Sequence, residues 1–249
     1  MCIDCGCNSQ PGNDHHHDQL DHGHHHDDQG SRTIRIEEDL LAKNNRLAAN
    51  NRSRFNAGKL LVLNLVSSPG SGKTSLLERT LSDLADRMAF AVLEGDQQTT
   101  NDADRIAATG VPVKQLNTGA GCHLDAHMVG HGVEAFDLDA TDILMIENVG
   151  NLVCPAAFDL GEDHKVAVLS VTEGEDKPLK YPQMFQAADL VLINKIDLLP
   201  YLRFDLEKCK AFARQVNPQI EIIELSCHSG EGMVSWYDWL TREFNRKRD

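Results

Sequence analysis

Residues 60–74 read LLVLNLVSSPGSGKT, and the rest of the chain can be read outward from this stretch. Leu60–Val66 is a short, β-rich apolar run bounded by turn residues, which predicts a buried strand. Ser67–Thr74 follows the phosphate-loop pattern G-x-x-x-x-G-K-S/T at every position but the first, where Ser67 replaces glycine. The physical chemistry agrees with the pattern. Gly70 and Gly72 let the backbone curl until its N–H groups face one anion. A helix starting near Thr74 offers its positive end to phosphate. Pro69, Ser71 and Ser75 complete the loop and the helix start. Lys73 can reach the β- and γ-phosphates, and Thr74 can hold Mg²⁺.

Downstream, strand-like and helix-like stretches alternate. Phe90–Leu93, Ile143–Ile146, Val166–Val171, Leu190–Ile193 and Ile220–Leu225 read as buried strands. Helical patterns fall at Thr74–Arg87, His123–Ala135, Leu179–Ala188, Asp205–Val216 and Gly232–Phe244. This alternation predicts an α/β fold: a parallel sheet covered on both faces, three layers in all. Upstream, Thr33–Lys59 carries apolar residues at mostly helical intervals and ends on Asn56-Ala57-Gly58, a helix stop. Residues 1–31 hold six aspartates, no Lys or Arg and almost nothing apolar, so they cannot build a core and are expected to be disordered. The expected organisation is a metal-binding segment 1–31, a helical segment 32–59 and a phosphate-loop domain 60–249.

The strand Leu190–Ile193 runs into Asn194-Lys195-Ile196-Asp197, the N-K-x-D pattern that selects guanine. The Asp197 carboxylate would accept from guanine N1–H and the exocyclic amine, a pattern adenine does not offer. Lys195 can lie along the base and Asn194 can tie this loop to the phosphate loop. Ser226-Cys227-His228, after the last strand, is the expected second base-contacting loop. Two other strands end in acidic residues, Glu94-Gly95-Asp96 and Glu147-Asn148-Val149-Gly150. Carboxylates there can bind Mg²⁺ directly or through water, and the Gly150 N–H can sense a γ-phosphate. Lys73, Thr74, Asp96 and Glu147 are therefore the expected catalytic group, with Mg²⁺ at Thr74 and Asp96. No arginine stands where it would obviously stabilise the transferring phosphate, so slow intrinsic turnover is expected.

Cysteine and histidine are unevenly placed. Cys2, Cys5 and Cys7 lie within six residues around Gly6, enough to wrap one Ni²⁺ or Zn²⁺ ion. Seven histidines fall between His15 and His26, a loose store for borderline metals. Within the nucleotide domain, Cys122-His123 and the distant Cys154 make a three-ligand metal set. His127 and His131, four residues apart in sequence like His123 and His127, are further candidates on the same helical face. Cys209 and Cys227 are expected to be structural thiols.

The net charge of −14 leaves no basic face for nucleic acid. Apolar runs are too short to span a bilayer, and no basic-then-apolar leader opens the chain, so a cytoplasmic protein without membrane insertion is expected.

Taken in order, the Cys2–Cys7 group, the histidine tract, S-S-P-G-S-G-K-T, E-G-D, G-C-H-L-D-A-H, E-N-V-G-N-L-V-C-P, E-G-E-D-K-P-L-K-Y-P and N-K-I-D resemble the nickel-incorporation GTPases that mature nickel–iron hydrogenases. The resemblance covers essentially the whole chain. It implies GTP hydrolysis coupled to nickel delivery into the hydrogenase large-subunit precursor. It implies nickel at Cys2, Cys5 and Cys7, and nickel or zinc at Cys122, His123 and Cys154. It also implies a GTP-dependent homodimer in which Lys180 reaches the partner's nucleotide. An accessory zinc protein and a nickel metallochaperone are the implied partners. The competing readings are a nickel store with a GTPase domain, and a GTPase chaperone for another metalloenzyme such as urease.

Overall fold

The computed structural model describes residues 28–96, 100–119 and 121–249, and of residues 28–37 the backbone only. The readings of Cys2, Cys5, Cys7 and the His15–His26 tract therefore fall outside the described residues. Leu41–Asp249 forms one compact unit.

Among the described residues the first element is helix α1 (Asp28–Ala57), and the chain then alternates: β1 (Leu61–Ser67), α2 (Lys73–Leu84), β2 (Phe90–Asp96), α3 (Asn101–Ala107), β3 (Val113–Asn117), α4 (Ala126–Gly132) and β4 (Ile143–Gly150). It continues through α5 (Cys154–Ala157), β5 (His164–Ser170), α6 (Lys177–Lys180), α7 (Pro182–Ala187), β6 (Leu190–Asn194), α8 (Leu206–Val216), β7 (Glu221–Glu224) and α9 (Met233–Arg248). The seven strands form one sheet in the order β3-β2-β4-β1-β5-β6-β7, and all pairs are parallel.

Burial explains the three layers. All seven residues of β1 are buried, and their alternation divides them between two cores. Leu61, Leu63 and Leu65 pack with Leu76, Leu77, Leu81 and Leu84 of α2 and with Trp236, Trp239 and Leu240 of α9. Val62 faces the opposite side with Phe55 of α1 and Val129 of α4. Val66 lies on that side too, with Met184 and Phe185 of α7 and Ala213 of α8. Asn64 is the polar exception on this second face. It is fully buried, and its amide donates to Glu162 Oε1 at 3.0 Å.

Several elements differ from the sequence pattern, each for a local reason. The expected His123–Ala135 helix is shorter. Asp125 caps α4 by accepting from Met128 N at 2.8 Å, so the helix starts at Ala126 and His123 lies in the turn before it. His123 thus does not share a helical face with His127 and His131. The Leu179–Ala188 helix is two pieces, α6 and α7, broken where Tyr181 precedes Pro182 and leaves the helical region. The edge strand β3 and the helix α3 carry little apolar signal. Val113–Asn117 is only half-buried, so its sequence lacks the apolar run of the central strands.

Because every strand is parallel, the C-terminal ends of β1, β2, β4 and β6 open on one edge of the sheet. Ser67, Asp96, Gly150 and Asn194 end these four strands. Ligands of open α/β sheets bind at that edge, where successive connections diverge to either side. Here β1 is flanked by β4 and β5, and the chain leaves it in one direction to β2 and returns past it to β5.

Candidate nucleotide and metal site

The phosphate loop bends as its glycines require. Gly70 and Gly72 have φ of 77° and 100°. A side chain at Gly72 would place its Cβ 2.5 Å from Asn194 Nδ2. That close approach lets Asn194, 1% exposed, donate to the Ser71 carbonyl at 2.9 Å and clamp the two loops together. Lys195, itself at φ 65°, donates from Nζ to the Gly70 carbonyl at 2.7 Å. Ser71 Oγ donates to Glu173 Oε1 at 2.5 Å. Pro69, Gly70, Lys73, Thr74 and Ser75 line a cavity of about 510 Å³, facing Asp96, Glu147, Gly150 and Lys195.

Lys73 is buried and donates to Ser67 Oγ at 2.7 Å. The serine that departs from the usual loop pattern thus holds the loop's lysine. Burial lowers the Lys73 pKa, and the charge of Glu147 opposes that shift. Thr74 Oγ1 donates to Glu147 Oε1 at 2.8 Å. Burial pushes Glu147 up to about 7, against the charge of Lys73 and the hydrogen bond from Thr74. Burial, reinforced by Glu147 and Asp96, pushes Glu94 up to about 8. Glu94 and Glu147 each keep one buried carboxylate oxygen with no hydrogen-bond partner. This crowded carboxylate set beside a threonine hydroxyl suits a hard divalent cation, and Thr74 and Asp96 offer oxygen ligands of the kind Mg²⁺ takes.

The fold also brings Asp102 and Arg105 of α3 to the cavity, which sequence reasoning missed. An arginine therefore does stand beside the phosphate loop. Its guanidinium is engaged by Glu78, at 3.0 Å from Nε and 2.5 Å from Nη2, and by Asp102 at 3.1 Å. The D-x-x-R spacing was the available signal, but α3 itself was not anticipated.

On the base side, Asp197 Oδ1 accepts from Ser226 Oγ at 2.5 Å, which joins the N-K-x-D loop to the loop after β7. Cys227 N donates to Asn194 Oδ1 at 3.2 Å. Burial pushes the Cys227 thiol up to about 11 and the Cys209 thiol up to about 12. Lys180 stands apart from this chain's cavity, exposed on α6 and paired with Asp176 at 2.8 Å.

A second cluster lies beyond β4. Among the described residues, Cys122, His123 and Cys154 offer ligand atoms all within 4.8 Å of one another. The two sulfurs are 2.7 Å apart, longer than an S–S bond of about 2.05 Å. Cys122 Sγ lies 3.6 Å from His123 Nδ1. Burial lowers the His123 pKa, with the charge of Asp125 opposing it, and so favours the neutral imidazole that metals bind. Two sulfurs and one imidazole suit borderline ions such as Ni²⁺ and Zn²⁺, with a fourth position open. His127 and His131 are outside this set.

Both arms of the cluster hang on one buried polar chain. Asn148, beside Glu147 on β4, accepts from Leu124 N at 3.0 Å, next to His123. Its amide donates to Asn64 Oδ1 at 3.2 Å, and Asn64 reaches Glu162. Lys165 Nζ lies 3.7 Å from Glu162 and donates to the Pro155 carbonyl at 2.8 Å, next to Cys154.

Comparisons with known proteins place the chain in a family. Residues 61–224 match the model of the CobW/HypB/UreG nucleotide-binding domain. The chain is 67% identical over 213 residues to hydrogenase maturation factor HypB of Azotobacter vinelandii, covering 86% of this chain and 70% of that protein. It is 68% identical over 209 residues to HypB of Escherichia coli K12, covering 84% and 72%. Among solved structures it is similar to HypB from Archaeoglobus fulgidus, with a TM-score of 0.77 and 41% identity over 82% of this chain and 99% of that one. HypB from Helicobacter pylori in complex with nickel gives a TM-score of 0.77 and 40% identity over 82% and 96%.

Proposed function

Starting from a chain that belongs to the CobW/HypB/UreG nucleotide-binding family and, within it, to the HypB hydrogenase maturation factors, we propose that it hydrolyses GTP to gate the binding and delivery of nickel. The client is the hydrogenase large-subunit precursor. An accessory zinc protein and a nickel metallochaperone act beside it in the cytoplasm. Nickel is the cargo, held at Cys122, His123 and Cys154 and at Cys2, Cys5 and Cys7, and Zn²⁺ competes for the same donors. Among the described residues, no helix is long and apolar enough to cross a membrane.

One observation carries the coupling. The C-terminal end of β4 serves both sites, because Glu147 holds Thr74 of the phosphate loop while its neighbour Asn148 holds the backbone next to His123. In this reading Asp197 selects guanine, and Asn194 keeps the base loop registered on the phosphate loop. Lys73 and the backbone N–H groups from Gly70 to Thr74 hold the phosphates. Thr74 and Asp96 would hold Mg²⁺ when nucleotide is bound, and the ion would supply positive charge to offset that of the phosphate oxygens. Gly150 is in close contact with the phosphate loop: a Cβ there would fall 3.1 Å from Pro69 Cα. Its N–H is placed to respond to a γ-phosphate. Val149-Gly150 then shifts the segment leading to Cys154, and hydrolysis resets it. Lys180, exposed and held only by a surface ion pair, is available to a partner's nucleotide in a GTP-dependent homodimer.

The test is nickel affinity by chelator competition in the Cys2→Ser/Cys5→Ser/Cys7→Ser chain, loaded with GDP or a non-hydrolysable GTP analogue. The expected nucleotide shift is roughly 5–150-fold and is lost in Cys154→Ala. Equal affinities in both states would sink the gating reading.

A further inference from the structure

Arg105 lines the phosphate-loop cavity, yet two carboxylates engage its guanidinium. Nε and Nη2 donate to the two oxygens of Glu78 on α2, and Nη1 donates to Asp102 of α3 at 3.1 Å. Nη2 also donates to Ser75 Oγ at 3.3 Å. Ser75 follows Thr74, at the end of the loop whose backbone N–H groups cradle the α- and β-phosphates. The arginine therefore borders the part of the cavity where the diphosphate of a bound nucleotide would lie. Its hold is not a buried one: 44% of the Arg105 side chain, 33% of Glu78 and 42% of Asp102 stay exposed. Exposed ion pairs are weak, so a better partner can replace them. A phosphate is such a partner, because the planar guanidinium binds it through two parallel N–H groups. Both charges are already felt within the cavity, that of Arg105 by Glu147 and that of Asp102 by Lys73.

We propose that Arg105 is a catalytic residue for GTP hydrolysis, held back by Glu78 and Asp102 and turned onto the β- and γ-phosphate oxygens in the transition state. The role rests on the GTP-hydrolysis reading of the cavity. In that reaction water attacks the γ-phosphorus. The bond from γ-phosphorus to the β–γ bridging oxygen breaks, its electron pair stays on that oxygen, and the oxygen leaves as part of GDP. Both water protons depart with the other product, H₂PO₄⁻. Negative charge thus builds on the bridging oxygen as the bond lengthens, and a guanidinium placed there lowers the barrier. Lys73 supplies one cation from the phosphate loop, and Arg105 adds a second from the Ser75 side. The hold by two carboxylates also gives the slow turnover expected of this chain a specific cause. The arginine is present, but it must leave Glu78 and Asp102 in every cycle before it acts.

The experiment measures single-turnover GTP hydrolysis by the full chain with Mg²⁺. It also measures affinity for GDP and for GDP with aluminium fluoride, which mimics the transferring phosphate. Arg105→Ala is expected to slow hydrolysis about 100-fold and to weaken GDP–aluminium fluoride binding far more than GDP binding. Glu78→Gln takes one carboxylate from the hold and is expected to speed hydrolysis several-fold. The opposite signs are the signature, because an ion pair that only braces α3 against α2 would lose activity from either end. If E78Q and R105A slow hydrolysis alike, or if R105A leaves the two affinities in their wild-type ratio, the proposal is overturned. Arg105→Lys keeps the charge without the forked hydrogen bonds and repeats the affinity comparison in a chain that retains a cation there. It too should lose GDP–aluminium fluoride affinity relative to GDP, and an unchanged ratio overturns the proposal as well. If wild-type protein binds GTP and hydrolyses none, the GTP-hydrolysis reading itself fails, a result distinct from hydrolysis that is indifferent to Arg105.

Discussion

Single residues decide which ligand the cavity accepts. Asp197 is held by Ser226, so its carboxylate is oriented before any base arrives. Replacing it by asparagine turns one of its two acceptor oxygens into a donor, so N1–H and the exocyclic amine of guanine can no longer both be accepted. Asp197→Asn is therefore expected to weaken GTP binding about 10–100-fold, the equivalent of one charge-assisted hydrogen bond. Xanthosine triphosphate, which carries a carbonyl where guanine has the amine, should bind the variant better than GTP does. Competition titration with the two nucleotides reads both outcomes. At Gly72 the constraint is backbone shape. A φ of 100° and a Cβ 2.5 Å from Asn194 leave no room for alanine. Gly72→Ala should cost about 1–3 kcal/mol of stability, measured by denaturant unfolding, and should loosen nucleotide binding as Asn194 is displaced.

Between elements, the informative structure is the buried polar chain from β4 through β1 to β5. Asn148 ties Leu124 N to Asn64, and Lys165 ties the strand after it to the carbonyl of Pro155. The two arms of the Cys122–Cys154 cluster are therefore fastened to the strands that end at the nucleotide cavity, not merely near them. Asn148→Ala removes that fastening and leaves Asn64 and Leu124 N without their partner. A loss of about 1–3 kcal/mol is expected in denaturant unfolding. The diagnostic readout is the nucleotide dependence of nickel affinity, which should fall toward unity while GTP affinity stays close to wild type. A wild-type nucleotide shift in Asn148→Ala would show that this chain of hydrogen bonds supports the fold without carrying the coupling. Element boundaries near these sites were the least legible part of the sequence. The Asp125 cap and the Tyr181–Pro182 break act within one turn, while apolar periodicity averages over several.

At the scale of the whole molecule, the opposite edge of the sheet carries its own electrostatics. His164, at the start of β5, packs edge-on against Trp239 of α9. It lies 3.4 Å from Asp189 and 3.5 Å from Glu243, with Asp163 adding charge. Burial opposes its protonation, but these carboxylates outweigh burial and raise its pKa above the ordinary imidazole value. The stabilisation it supplies is therefore complete below about pH 6.5 and is lost as the pH rises through the raised native value. The unfolding midpoint of wild-type protein should exceed that of His164→Gln most at the acid end of this range, and the gap should close toward alkaline pH. A constant gap would mean that His164 acts by packing alone. Other properties of the molecule were legible in advance. The phosphate loop, the guanine motif and the Cys122-His123 pair are local patterns, and the chemistry of each is contained in a few neighbouring residues, whereas Cys154 joins that pair only through the fold. The parallel sheet followed from apolar strands alternating with amphipathic helices, because strands buried on both faces have no other way to hide their side chains. What the sequence could not decide is what depends on contacts between distant segments. The edge strand β3 has too few buried side chains to declare itself. Arg105 reaches the cavity only because α3 lies beside α2. The separation of His127 and His131 from His123 turns on one capping hydrogen bond, and the joining of the phosphate-loop cavity to the Cys122–Cys154 cluster turns on Asn148 meeting Asn64 across neighbouring strands. A chain's periodicity reports which face each residue buries, but packing alone chooses which faces meet.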